Sequence, residues 1–137
     1  MSKDDSIIIR VGIPDRCLSP NARVHWARRA KAKKAARYSA QWSAAEAMGR
    51  LWPRQDAPKW DAATIEPRVY WPNRHKVDGD NMLSSLKASF DGLVDAGLLA
   101  DDKGVRFLPC VMGYSKDDPR VELVVRRLAA EAGKGGC

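Results

Sequence analysis

Residues Asp78-Gly79-Asp80-Asn81-Met82-Leu83-Ser84-Ser85-Leu86-Lys87-Ala88-Ser89-Phe90-Asp91-Gly92-Leu93-Val94-Asp95-Ala96-Gly97 decide how this chain folds. Read at 100° per residue, Leu83, Leu86, Phe90, Leu93 and Val94 share one broad face. Asp80, Ser84, Lys87 and Asp91 fall on the other, in a stripe about 60° wide. The pattern predicts an amphipathic helix over about 81–97, with Gly97 as a candidate C-cap. On either side the period drops to two. Thr64 to Trp71 puts Ile65, Pro67, Val69 and Trp71 on one face, and Val105 to Tyr114 reads as a second strand. Pro67 cannot donate to a ladder, which predicts an edge strand or a bulge there.

Working outward, Ile7, Ile9, Val11 and Ile13 alternate with Ile8, Arg10 and Gly12, a strand closed by Pro14. A loop from Asp15 to Pro20 follows. Asn21 is placed to cap a long helix from about Ala22 to Gly49, rich in Ala, Arg and Lys. Its aromatics Trp26, Tyr38 and Trp42 are expected to face the core for part of its length. Pro53 and Pro58 mark a loop. Val121 to Leu128 is a last strand, reached through a turn at Ser115 to Pro119. The order β-α-β-α-β-β predicts a small α+β fold. Its mixed sheet of about four strands would be covered on one face by helices. The 137 residues suggest one domain over 1–137, with flexible ends at about 1–5 and 130–137.

Hydrophobic residues make up 45% and charged residues 30%, which excludes a disordered chain. No apolar run approaches the roughly 20 residues of a membrane span. The N-terminal residues lack the basic and apolar regions of a signal peptide, so the expectation is a soluble cytoplasmic protein without membrane contact. Cys17, Cys110 and Cys137 are odd in number and widely spaced, and His25 and His75 lack partners at ligand spacing. A disulfide framework and a zinc site are therefore not expected. The net charge is +7, and no Asp or Glu interrupts the run from Arg16 to Ala45, which holds Arg23, Arg28, Arg29, Lys31, Lys33, Lys34 and Arg37. So one-signed a run repels itself unless a polyanion meets it, and nucleic acid is the expected partner. A solvated helix face with no ligand is the plainer alternative.

Against that background the carboxylates Asp78, Asp80, Asp91, Asp101 and Asp102 stand out. An acidic cluster repels phosphate unless a divalent cation lies between them, an arrangement that a metal-dependent phosphodiesterase needs. Ordinary structural roles fit the spacing equally well. Asp80 suits a helix N-cap, Lys87 and Asp91 suit a surface pair, and Asp101-Asp102 suit a turn. A calcium loop does not fit, because Met82 and Leu83 stand where a ligand and a turn glycine are required.

Asp78-x-Asp80-Asn81, then Lys87-x-x-x-Asp91-x-Leu93, then Gly97 and Asp101-Asp102 before a strand, resembles the RusA family of Holliday junction resolvases. Pro20-Asn21-x-Arg23-x-His25-Trp26 is similar to that family's early Asn-containing loop and basic helix. The likeness runs from about Ile7 to Leu128. It implies that Asp78, Asp80 and Asp102 are the metal-binding carboxylates and Lys87 the essential lysine, with Asn81 and Asp91 in support. Asp101 is then a weak ligand, an indirect support or a turn residue.

The resemblance further implies a homodimer that uses Mg²⁺ or Mn²⁺ to cut four-way DNA junctions with paired nicks, in DNA recombination and repair, in a family often associated with phage. One departure stands: Ser84 occupies the position where better-known members carry the lysine, and Lys87 comes about a turn later. The extra turn is expected between Asn81 and Lys87. Asn21, the basic run from Arg23 to Arg37, and Arg74, His75 and Lys76 are expected to hold DNA phosphates. The apolar face of the 81–97 helix is a candidate for the dimer surface or for the core. The readings from other classes are a non-catalytic nucleic-acid-binding module with a structural acidic cluster, and an interaction protein with an incidental basic helix.

Overall fold

A computed structural model describes residues 6–20, 22–49, 59–72, 79–101 and 103–128, with the backbone alone for Gly79 and Asp80. The ends at 1–5 and 130–137, and the loop prolines Pro53 and Pro58, lie outside these residues. Eight elements follow in order: β1 (Ser6–Val11), α1 (Trp26–Ala47), β2 (Ala63–Trp71), α2 (Gly79–Ser85), α3 (Lys87–Asp95), β3 (Val105–Phe107), β4 (Val111–Tyr114) and β5 (Arg120–Arg127). A short 3-10 turn, Arg16–Leu18, precedes α1. The chain is a small α+β fold with a mixed sheet of five strands and three α-helices.

The sheet runs β1-β5-β2, with β3 and β4 both pairing on the far side of β2. β5 lies antiparallel to both of its neighbours, while β3 and β4 are parallel to β2. Alternation selects the buried face: Ile9, Ile65, Val69, Val121, Leu123 and Val125 are fully buried, and Ile8 is exposed. Burying each such aliphatic side chain contributes about 1.5–3 kcal/mol. The opposite face carries ion pairs such as Arg68–Glu66 and Arg120–Glu122.

The fifth strand is a correction to the expected four, and Pro67 shows its cause. β2 is central, not an edge. Ile65 pairs with Phe107 and Arg68 pairs with Val111, so three residues, Leu108 to Cys110, oppose two, Glu66 and Pro67. The Ile65 carbonyl accepts from Leu108 N–H at 2.9 Å, so the backbone of odd-numbered residues of β2 points to that side. The donor missing from Pro67 therefore falls where the neighbouring strand breaks. The expected bulge is present, on the partner strand, and it splits Val105 to Tyr114 in two.

Two helix expectations also change. α1 begins at Trp26, not Ala22. Its N-cap is His25, whose Nδ1 accepts from Ala27 N–H at 3.1 Å. Asn21, the expected cap, lies outside the described residues. Trp26 and Tyr38 face solvent, at 75% and 62% exposure, and α1 meets the core through Ala40, Ala44 and Ala45 instead. Small residues there admit close packing. A β-carbon added to Gly92 of α3 would collide with the Arg37 carbonyl oxygen and lie 2.8 Å from Ala40 Cβ.

The single helix expected over 81–97 is two. They meet at Leu86, whose φ −91° and ψ 0° lie at the edge of the helical range. Ser85 Oγ donates to the Asn81 carbonyl at 2.8 Å, a local bond that bends helices. The break lies between Asn81 and Lys87, so Lys87 opens α3. Leu86, Phe90 and Leu93 are buried in the core, which removes them as a dimer surface. At the end of α3, Gly97 (φ 87°) donates to Val94 O at 2.9 Å, and Leu98 N–H donates to Leu93 O at 3.1 Å. This is the expected glycine cap, in Schellman form. Among the described residues no helix is long and apolar enough to cross a membrane.

Candidate nucleic-acid interface

α1 and the α2–α3 pair lie side by side and run in the same direction. Arg28 lines a groove with Asn81 and Ser85, and nine residues on, Arg37 pairs with Asp95. Between these points Arg29, Lys33, Lys34 and Arg37 form one wall of a groove of about 460 Å³. Ser84, Ser85, Lys87, Ala88 and Asp91 form the other, and Leu18 and Pro20 close one end. Helical spacing makes the basic wall, since Arg29, Lys33 and Arg37 recur every four residues. Arg29 Nη2 also donates to the Ala22 carbonyl at 2.6 Å, which ties the approach segment to the helix. No acidic residue stands in the first turn of α1 to offset its cations.

A larger groove of about 1170 Å³ adjoins at Ser85, which lines both. Arg16, Arg23 and Arg28 surround it, with Asn81 and Met82 of α2 and Trp71 at the end of β2. At its edge the Asp15 carboxylate accepts from the Cys17 backbone N–H and from the Cys17 thiol, both at 2.9 Å. The thiol bond is the main reason the Asp15 carboxyl is held below its usual range and the Cys17 thiol is pushed up.

The stripe read from sequence is therefore assembled, in part, opposite the basic helix. Lys87 is exposed, and no described carboxylate lies within ion-pair distance of it. Asp91, four residues on, does not pair with it. Asp91 instead lies close enough to Arg37 to stabilise that guanidinium electrostatically. Arg37 is the member of the basic run that a described ion pair ties to another helix. Its Nη2 bonds Asp95 Oδ1 at 2.8 Å, and that contact is the main reason its pKa is raised. Asp95 therefore competes for the phosphate contact expected of Arg37.

Asp101 is not brought to the grooves. It is exposed and accepts from Lys103 N–H at 2.7 Å, which makes it a turn residue. That turn lies where β3 starts beside the start of β2, as Ala63 pairs with Val105. Asn81 lines a groove with Trp71, at the other end of β2, and that strand spans roughly 26 Å at 3.3 Å per residue. Asp78, Asp102, Asn21, Arg74, His75 and Lys76 lie outside the described residues, and Asp80 is placed only as backbone in the first turn of α2. Among the described residues no group of three His, Cys, Asp or Glu could hold a metal ion.

No family model matches the chain. A protein of Xylella fastidiosa (strain Temecula1), described only as an uncharacterized protein, is 35% identical over 125 residues, covering 90% of this chain and 78% of its own length. The chain belongs to the family of that Xylella protein. Membership in the family carries a shared fold and no activity. Groove residues that the sequence reading assigned to no site include Arg16, Trp71 and Ser85. Arg16 shares the acid-free run but sits before the helix. Trp71 ends β2 beside the loop that leads to α2. The Ser84-Ser85 pair is itself a signal of a helix bend.

Proposed function

We propose that this protein is a metal-dependent, structure-selective endodeoxyribonuclease of the RusA type that resolves four-way DNA junctions by paired nicks. The observation that supports this best is the shared groove. It holds Lys87 and Asp91 facing Arg29, Lys33 and Lys34, with Lys87 free of any described carboxylate. Cations gathered without counterions repel one another, and a phosphate backbone is the partner that offsets this. Arg23 and Arg28 extend the track past Asn81.

In this reading Asp78, Asp80 and Asp102 hold Mg²⁺, with Mn²⁺ as substitute. A bound divalent cation would polarise the scissile phosphate and acidify a water. The Lys87 ammonium offsets charge that develops on the phosphate oxygens as the bond breaks. Asp91, four residues on in the same groove and beside Arg37, is a supporting carboxylate. In this reading the Asp101 turn and Asn81, toward opposite ends of a strand roughly 26 Å long by its rise, come together between subunits. A two-fold homodimer would let the turn of one subunit approach α2 of the other and would supply two cuts related by symmetry. The open sheet edge at Phe107, Leu108, Val111, Met112 and Tyr114 is exposed and apolar, as a self-complementary contact requires.

That same separation favours the second reading, a nucleic-acid-binding module whose acidic residues serve turns and caps. A mixing experiment separates the two. Asp80→Asn and Asp102→Asn are each expected to abolish Mg²⁺-dependent cleavage of a synthetic four-way junction. Mixed and refolded together, they regain part of it, because half of each heterodimer then carries an intact site. Junction binding in EDTA with no cleavage by the wild type on adding Mg²⁺ establishes the binding module instead.

A further inference from the structure

Trp26 is an indole exposed to 75% on a chain that buries Trp60 almost completely. Leaving so large an apolar side chain in water forgoes its burial energy. Its position is specific. Arg29, Lys33 and Arg37 follow it at three, seven and eleven residues, so it heads the same helical stripe that lines the Lys87 groove. In the chain it lies between Arg23 and Arg28, both of which line the larger groove beside Asn81. It therefore opens α1 between two arginines whose groove also holds Asn81 of α2.

The His25 ring lies against it, with centroids 5.5 Å apart and planes tilted by 30°. His25 is itself fixed by the bond from Ala27 N–H to its Nδ1, at 3.1 Å. A held pair of aromatic rings inside a cationic surface suits a ligand with flat π-faces and adjacent negative charge. Unpaired nucleobases carry both. Paired bases inside a duplex do not offer their faces, since their neighbours cover them.

We propose that Trp26, flanked by His25, stacks on bases left unpaired at a DNA branch point while Arg23, Arg28 and Arg29 hold the adjoining phosphates. The proposal rests on the nucleic-acid reading of α1 and not on the metal site. The test uses the full chain in EDTA, titrated against a synthetic four-way junction and against a linear duplex of equal length. Trp26→Ala lowers junction affinity about tenfold, as loss of one stacked base does, and duplex affinity less than twofold. Trp26→Tyr keeps most junction affinity but loses the quenching of indole fluorescence that the junction causes in the wild type.

Equal loss on both substrates, unchanged junction affinity in Trp26→Ala, or full quenching in Trp26→Tyr overturns the proposal. So does a melting temperature lowered by Trp26→Ala, which would make the indole structural. Binding without cleavage when Mg²⁺ is added would end the nuclease reading and leave this one standing. Cleavage with a Trp26→Ala junction affinity equal to the wild type does the reverse.

Discussion

At one end of the contact between α1 and α3, Arg37 is held by Asp95, and Gly92 lets the α1 backbone come within touching distance. At the other end, two turns and one turn earlier in α1, Arg29 and Lys33 look across an open groove at Lys87, and no described carboxylate pairs with any of the three. Both ends use the same helix, the same residue types and the same fourfold spacing. What differs is whether a cation found its counterion inside the protein. The packed end spends charge and surface on stability, and the open end leaves both for a partner. The two ends should therefore separate under mutation.

The largest effect is expected at the open end. Lys87→Ala removes an ammonium that stabilises charge only as the phosphate reacts. It is expected to slow junction cleavage at saturating protein and Mg²⁺ by about a hundredfold or more. It also relieves repulsion with Arg29 and Lys33, so the melting temperature stays level or rises. If Lys87→Ala melts lower and cleaves at the wild-type rate, the division between the ends is wrong. The converse test is Gly92→Ala. The added methyl meets the Arg37 carbonyl oxygen, and backbone has to move to admit it. Overpacking of this kind costs about 2 kcal/mol or more, which in a chain of this size lowers the melting temperature by roughly 8 °C. Junction affinity at a temperature where the variant is folded should be unchanged.

Which parts of this were readable in advance follows from the range of the interactions. β1, β2 and β5 show in sequence because alternation reports burial residue by residue, and Gly97 shows because a left-handed backbone favours glycine. The break at Leu86 does not show in hydrophobic periodicity. It comes from one hydroxyl, Ser85 Oγ, competing for the Asn81 carbonyl. Trp26 and Tyr38 mislead for a related reason. α1 packs through Ala40, Ala44 and Ala45, whose small side chains leave almost no apolar stripe to read, so the large aromatics draw attention to the wrong face. Within the candidate site, the lysine-to-aspartate stripe was legible because its spacing is helical. The capture of Arg37 by Asp95 was not, because the two residues are 58 apart in the chain.

That capture gives the smallest and most discriminating effect. Lys33 and Arg37 are one turn apart on the same face and line the same groove. Composition alone makes them equivalent phosphate ligands. A cation that meets a phosphate displaces a counterion, so removing it lowers the slope of log affinity against log salt by about 0.9. Lys33→Ala should show that change together with a loss of a few-fold in junction affinity. Arg37→Ala should leave the slope nearly as it was, because its charge is already balanced by Asp95. It should cost instead up to about 1 kcal/mol of stability, the range for a partly exposed ion pair.

The single variant Asp95→Asn, with Arg37 intact, tests the cause. With its counterion gone Arg37 is free to meet phosphate, and the salt slope should steepen beyond the wild type. If Arg37→Ala flattens the slope as much as Lys33→Ala does, the ion pair opens on binding, and the packed end belongs to the interface as well.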